Sequence, residues 1–114
     1  MNDIVKKWLY DILEAINSIN EYIGKPREFE GYEKNKQLRR SVEREIEIIG
    51  EAVNRIKKEM PELEIKNSHQ IIATRNRVTH AYDAVNNAII WGIVINHLPG
   101  LKTEVEQLLN SELK

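Results

Sequence analysis

The densest chemistry in the chain is Arg75-Asn76-Arg77-Val78-Thr79-His80-Ala81-Tyr82. Histidine titrates near neutrality, so it can take or give a proton at physiological pH. Arginine stays charged and can neutralise negative charge growing on a phosphate. The chain has no cysteine and therefore no thiolate nucleophile, zinc finger or iron–sulfur ligand set. It carries no serine beside a base in a recognisable motif, no Gly-rich phosphate loop and no His-Glu-x-x-His. His69 and His80 stand eleven residues apart without an obvious carboxylate ligand set, so no metal and no cofactor are expected. A His and an Arg acting without metal suit cleavage of RNA by its own 2′-hydroxyl. Histidine handles the proton, arginine the pentacoordinate phosphate, and asparagine and tyrosine orient oxygens. DNA lacks the 2′-hydroxyl, which would make the reaction specific to RNA.

The spacing also admits a structural reading. Ile71, Arg75, Val78 and Tyr82 recur at steps of four, three and four, which puts an arginine and a tyrosine on an aliphatic stripe. A guanidinium buried there needs a partner. Glu45, at the border of the preceding helix's apolar stripe, is the expected one. His80 follows Arg75 by five residues, roughly 140° around a helix. Either the helix ends or distorts near His80, or two copies of the motif meet across a dimer interface. Charge near the motif is positive, with three bases (Lys66, Arg75, Arg77) and no acid from Lys66 to Tyr82. From Lys34 to Arg44 five bases (Lys34, Lys36, Arg39, Arg40, Arg44) face one acid, Glu43. That cluster is either a solvated helix start or a place for an external anion.

The elements that must hold these residues read as helices. A length of 114 residues allows one domain, 1–114. Gly 5 and Pro 3 are too few for a many-turned β fold. Apolar residues from Ile4 to Ile23 form one stripe over about 3–23, with Asp3 as a cap and Gly24 and Pro26 as terminators. Residues 24–33 show no usable period and read as a loop. A second stripe, Leu38, Val42, Ile46, Ile49, Val53, Ile56 and Met60, spans 35–59 and stops at Pro61. A third helix begins near Ser68. After Asp83 comes Ala88-Ile89-Ile90-Trp91-Gly92-Ile93-Val94-Ile95, read as a helix started by Asn86-Asn87 and buried on most sides, at the bundle centre or in a subunit interface. Pro99 and Gly100 are expected to kink or break it before a short amphipathic helix. The sum is an all-α, four- to five-helix, up-and-down bundle. Trp8 and Trp91 are expected as core or interface anchors. Tyr10, Tyr22 and Tyr32, and His69 and His97 outside the motif, are assigned no chemistry. A net charge of -1 excludes a general polyanion binder, so nucleic acid must meet a local patch. No segment reads as a signal peptide or a membrane span, which makes a cytoplasmic location the expectation.

Arg75-Asn76-x-x-x-His80-x-Tyr82 resembles the Arg-x4-His-x-Tyr signature of HEPN domains, in particular the HepT-like toxin branch. The segment from Arg44 to Ile56, with Ile49-Gly50-Glu51-Ala52, resembles that branch's second helix. The resemblance implies a homodimeric helical bundle with two motifs facing one cleft. It implies a metal-independent endoribonuclease, with Arg75 and His80 as the catalytic pair and Asn76 in support. It further implies the toxin of a toxin–antitoxin pair. Its partner would be an MntA-like nucleotidyltransferase antitoxin that transfers AMP from ATP onto Tyr82. Arg77 is a second cation that could meet that phosphate. HEPN domains also serve as non-catalytic docking partners of nucleotidyltransferases, the alternative function for this chain.

Overall fold

Asn2 starts the first helix, its side-chain oxygen accepting the Val5 N–H at 2.9 Å. Helix α1 (Asp3–Ile23) thus has Asp3 in its first turn rather than as the cap expected from sequence. It ends at Gly24, whose φ of +60° is a backbone that glycine adopts without strain. The computed structural model describes residues 1–66, 68–80 and 86–112, and of residues 68, 77–80 and 112 it describes the backbone alone. In chain order there follow α2 (Phe29–Lys34), α3 (Lys36–Glu59), α4 (Ser68–His80), α5 (Asn87–Asn96) and α6 (Leu98–Glu112). The described residues form no strand.

The two expected stripes pack on each other. Val5, Leu9, Ile12, Ile16 and Ile19 of α1 are buried against a core that includes Val42, Ile46, Ile49, Val53 and Ile56 of α3. The pair is antiparallel. Asn2 donates to Glu59 at the far end of α3, and Tyr22 shares a cavity with Asn35, Leu38 and Ser41 at its start. Leu101, Val105 and Leu109 of α6 complete the core. The connection after α3 folds back over that helix, since Leu63, Glu64 and Ile65 line a cavity with Val53 and Lys57. Glu104 of α6 accepts the Lys66 N–H at 3.0 Å and holds the connection in place. Helix α4 therefore begins beside the C-terminal end of α3 and runs back toward its start.

One sequence expectation fails here. Residues 24–33 are not all loop, because α2 forms from Phe29 onward. Its stability comes from distant packing, Phe29 and Tyr32 lying 6.2 and 5.3 Å from Trp91 by ring centroid. The described helices accordingly number six rather than four or five. The expected break before the last helix does occur, at His97, and Pro99 follows it in the first turn of α6, where its missing N–H costs nothing. Asn86 caps α5 as expected, accepting the Ala88 N–H at 2.8 Å. No described helix is long and apolar enough to cross a membrane.

Candidate functional site

The site is built on the contact between α3 and α4. Gly50, in the middle of α3, is buried directly under Arg75. A Cβ at position 50 would stand 2.3 Å from Arg75 Cβ, 2.7 Å from its Cγ and 3.4 Å from the Ile71 carbonyl oxygen. Glycine in a helix interior costs about 1 kcal/mol relative to alanine. Here it lets the two backbones approach closely enough to fix the root of the Arg75 side chain.

From that root the side chain bends around its own helix. Arg75 Nη1 donates to Asn76 Oδ1 at 3.0 Å. Asn76 lies about 100° around α4 from Arg75, and only about 40° from the position of His80. The hydrogen bond thus draws the guanidinium away from the α3 side and toward the face on which His80 stands. The Arg75 stem is half-buried while Asn76 is exposed, so the charge emerges at the surface. Ile71, one turn earlier on the stripe, is buried, and so is Thr74, whose hydroxyl donates to the Gln70 carbonyl at 2.8 Å.

His80 closes the described extent of α4, and the backbone is helical through it. It stands two turns beyond Ala73, roughly 20° away on the wheel. Ala73 lines a cavity of about 310 Å³ between α4 and α5, together with Gln70, Ile89, Gly92 and Asn96. The side chains of Arg77 and His80 lie outside the described residues, as does the whole of Tyr82.

Glu45 does not partner Arg75. It shares a small cavity with Asp11, Glu14 and Ala15 of α1 and with Ile48, on another side of α3 from Gly50. Burial pushes its carboxyl above the ordinary value of 4.5 and Glu14 adds to the rise, while Arg44 opposes it. The ion pairs among the described residues include Lys7 with Asp11, Lys34 with Glu30, Arg40 with Glu43 and Arg55 with Glu51, and none of these includes Arg75. The expectation failed because a stripe's border has two sides, and Glu45 occupies the one facing α1. The residue that sequence reasoning missed is Gly50. Its signal was present, since a glycine amid helix-forming neighbours usually marks a close approach.

The family model for "Ribonuclease HepT-like" matches residues 12–108. A Methanocaldococcus jannaschii protein named "Putative RNase" is 34% identical over 110 residues, covering 92% of this chain and 87% of that one. A Caldanaerobacter subterraneus protein of the same description is 34% identical over 108 residues, covering 94% and 96% of the two chains. A Thermococcus cleftensis protein named "Probable ribonuclease HepT" is 35% identical over 106 residues, covering 90% and 94%. No solved structure matches the chain.

Proposed function

The chain belongs to the HepT-like ribonuclease family of HEPN proteins, and we propose that it is a metal-independent endoribonuclease in which Arg75 and His80 are the catalytic pair. The observation that supports this most directly is the path of the Arg75 side chain, clamped over Gly50 and turned by Asn76 toward the face of His80. An arginine serving only to bridge two helices would spend its charge on a neighbouring carboxylate. In the proposed reaction the RNA 2′-oxygen attacks the adjacent phosphorus and loses its proton to a base. The bond from phosphorus to the 5′-oxygen breaks, and that oxygen takes up a proton. His80 performs one or both proton transfers, and Arg75 stabilises the charge on the phosphorane oxygens. The products are a 2′,3′-cyclic phosphate and a 5′-hydroxyl.

A second copy of the chain completes the cleft in this reading. Helix α5 buries Ile90, Ile93 and Val94 but leaves Ile89 and Ile95 exposed at 39% and 36%. Ile89 and Gly92 meet Ala73 of α4 at the cavity on the His80 side. A self-complementary contact there covers the apolar residues and brings two motifs together. The protein acts as the toxin of a toxin–antitoxin pair. Its antitoxin, an MntA-like nucleotidyltransferase, joins the Tyr82 phenolic oxygen to the α-phosphorus of ATP, releasing pyrophosphate and the phenolic proton. The added phosphodiester and purine occupy the cleft and pair with Arg75 or Arg77.

The test is cleavage of single-stranded RNA by purified protein in EDTA, with a 2′-deoxy control. Arg75→Ala and His80→Ala should each slow cleavage about 10²-fold or more. Cleavage that needs added metal, or equal cleavage of DNA, overturns the mechanism. Nucleotidyltransferase binding with no cleavage under any condition would leave the docking role instead. Co-expression with the nucleotidyltransferase should add AMP mass to the wild type and none to Tyr82→Phe.

A further inference from the structure

The end of the bundle to which α4 runs also holds an aromatic cavity that the catalytic reading does not use. It lies between the C-terminal turn of α1, the short helix α2, the start of α3 and Trp91 of α5, with a volume of about 320 Å³. That is within the range of small-molecule sites. Tyr22 and Trp91 supply ring surface, Tyr32 is buried in the wall, and Glu28 and Asn35 supply polar groups. Only residues 81–86 separate the end of α4 from the start of α5, and Trp91 is about one turn into α5. Trp91 of this cavity and Ile89, which lines the other cavity with Ala73 of α4, stand two residues apart on α5, so α5 connects the aromatic cavity to the helix that carries the motif.

The cavity's polar groups are unspent. Tyr32 is 1% exposed, yet its hydroxyl has no hydrogen-bond partner among the described residues. Burial and the nearby Glu43 push its phenol above its ordinary titration range, so it remains an O–H donor at any physiological pH. Asn35 uses its side-chain oxygen to accept the Leu38 N–H at 3.0 Å, which leaves its amide nitrogen as a second donor. Glu28 precedes α2 as the cap residue but makes no side-chain cap hydrogen bond, so its carboxylate is an acceptor. Beside them stand the bases at the start of α3. Lys36, Arg40 and Arg44 are exposed, and Arg40 bonds the otherwise buried Glu43 at 3.2 Å while its own side chain stays 65% exposed. Rings, donors and an acceptor inside, with cations outside, match a base and its phosphates. Unstacked bases of single-stranded RNA are seated in this way.

We propose that this cavity is a base-specificity pocket that seats a guanine flanking the scissile bond, with the α3 bases tracking the adjoining phosphates. Guanine presents a carbonyl acceptor beside two N–H donors. The carbonyl fits Tyr32 and Asn35, and the N–H groups fit the Glu28 carboxylate. Adenine lacks the carbonyl and the ring N–H, and cytosine has no ring N–H to offer the carboxylate. Uracil has the ring N–H and a carbonyl but only one donor and a smaller ring to stack. The proposal rests on the ribonuclease reading for its role in cleavage, but base binding can be measured without cleavage.

The chain has two tryptophans, Trp8 and Trp91, so Trp8→Phe leaves Trp91 as the sole tryptophan reporter in the full-length protein. That variant is titrated with the four 5′-mononucleotides and with 2′-deoxy-substituted oligomers that cannot be cleaved. Guanine-containing oligomers should quench Trp91 at about 10-fold or more lower concentration than adenine-containing ones. Glu28→Gln should abolish that preference, and Tyr22→Ala should weaken binding of every oligomer. Both residues are exposed, so neither change disturbs the core. Cleavage sites mapped on a random-sequence RNA should cluster beside guanine for the wild type and lose that bias in Glu28→Gln. Quenching without base preference overturns the pocket's assignment, as does a cleavage pattern unchanged in both variants. Binding of mononucleotides but not oligomers overturns the RNA subsite in favour of a free nucleotide. Selective quenching by a protein that never cuts RNA sinks the ribonuclease reading and keeps the base pocket.

Discussion

Replacing Gly50 by alanine tests whether the helix contact beneath Arg75 sets the site. The new Cβ would lie 2.3 Å from Arg75 Cβ and 2.7 Å from Cγ. Carbon atoms pack best at about 3.5–4.0 Å, so α4 must retreat by about 1.2–1.7 Å or tilt by an equivalent amount. Cβ and Cγ are the root of the Arg75 side chain rather than its free end, so the strain passes to the α4 backbone. Overpacking of this kind costs about 1–3 kcal/mol. The gain in helix propensity returns about 1 kcal/mol, for a net loss of about 0–2 kcal/mol. A chain of this size should then melt no more than about 10 °C lower and remain folded at 25 °C. Catalysis is more demanding, because a displacement near 1 Å at a positioned group can cost about 10²-fold. Gly50→Ala should therefore be folded by circular dichroism and lose about 10²-fold in RNA cleavage. Wild-type cleavage together with an unchanged or raised melting temperature would refute the reasoning, because alanine would then be acting through propensity alone.

The bond from Arg75 to Asn76 predicts that Asn76→Ala slows cleavage about 10-fold while thermal stability stays within about 0.5 kcal/mol of wild type, Asn76 being an exposed residue. Equal rates would show that the guanidinium finds its place without Asn76. Ile89→Asp puts a charge on the exposed face of α5 and should give a 13.3 kDa species by light scattering, whereas the wild type should give twice that mass. A wild type that is itself monomeric removes the shared cleft. Glu45→Gln should raise the melting temperature at pH 7. The folded state holds the Glu45 proton more tightly than the unfolded chain does, so Glu45 costs stability as pH rises through its raised pKa. The two proteins should converge below the ordinary value of 4.5. A gap that persists there would mean that the glutamine acts through packing.

Helices α1 and α3 were legible in the sequence nearly to the residue. Each buries one stripe along more than five turns, and a period that long survives any neighbour. The position of Arg75 to His80 on a helix, the Asn86 start of α5 and the all-α class were legible for the same local reason, as was membership of a HEPN-like family from Arg75, His80 and the run at Gly50. Tertiary structure decided the rest. Helix α2 is too short to show a period and forms because Phe29 and Tyr32 pack on Trp91, some sixty residues away in the chain. Pro99 reads as a breaker, but only the turn between α5 and α6 makes it a first-turn residue. Glu45 and Gly50 are five residues apart on one helix, and the sequence offered the first as the neighbour of Arg75. A helical wheel assigns each residue a direction without saying which helix stands there. Packing put α1 beside Glu45 and α4 beside Gly50. The site is thus held by the absence of a side chain at Gly50 rather than by a charge at Glu45.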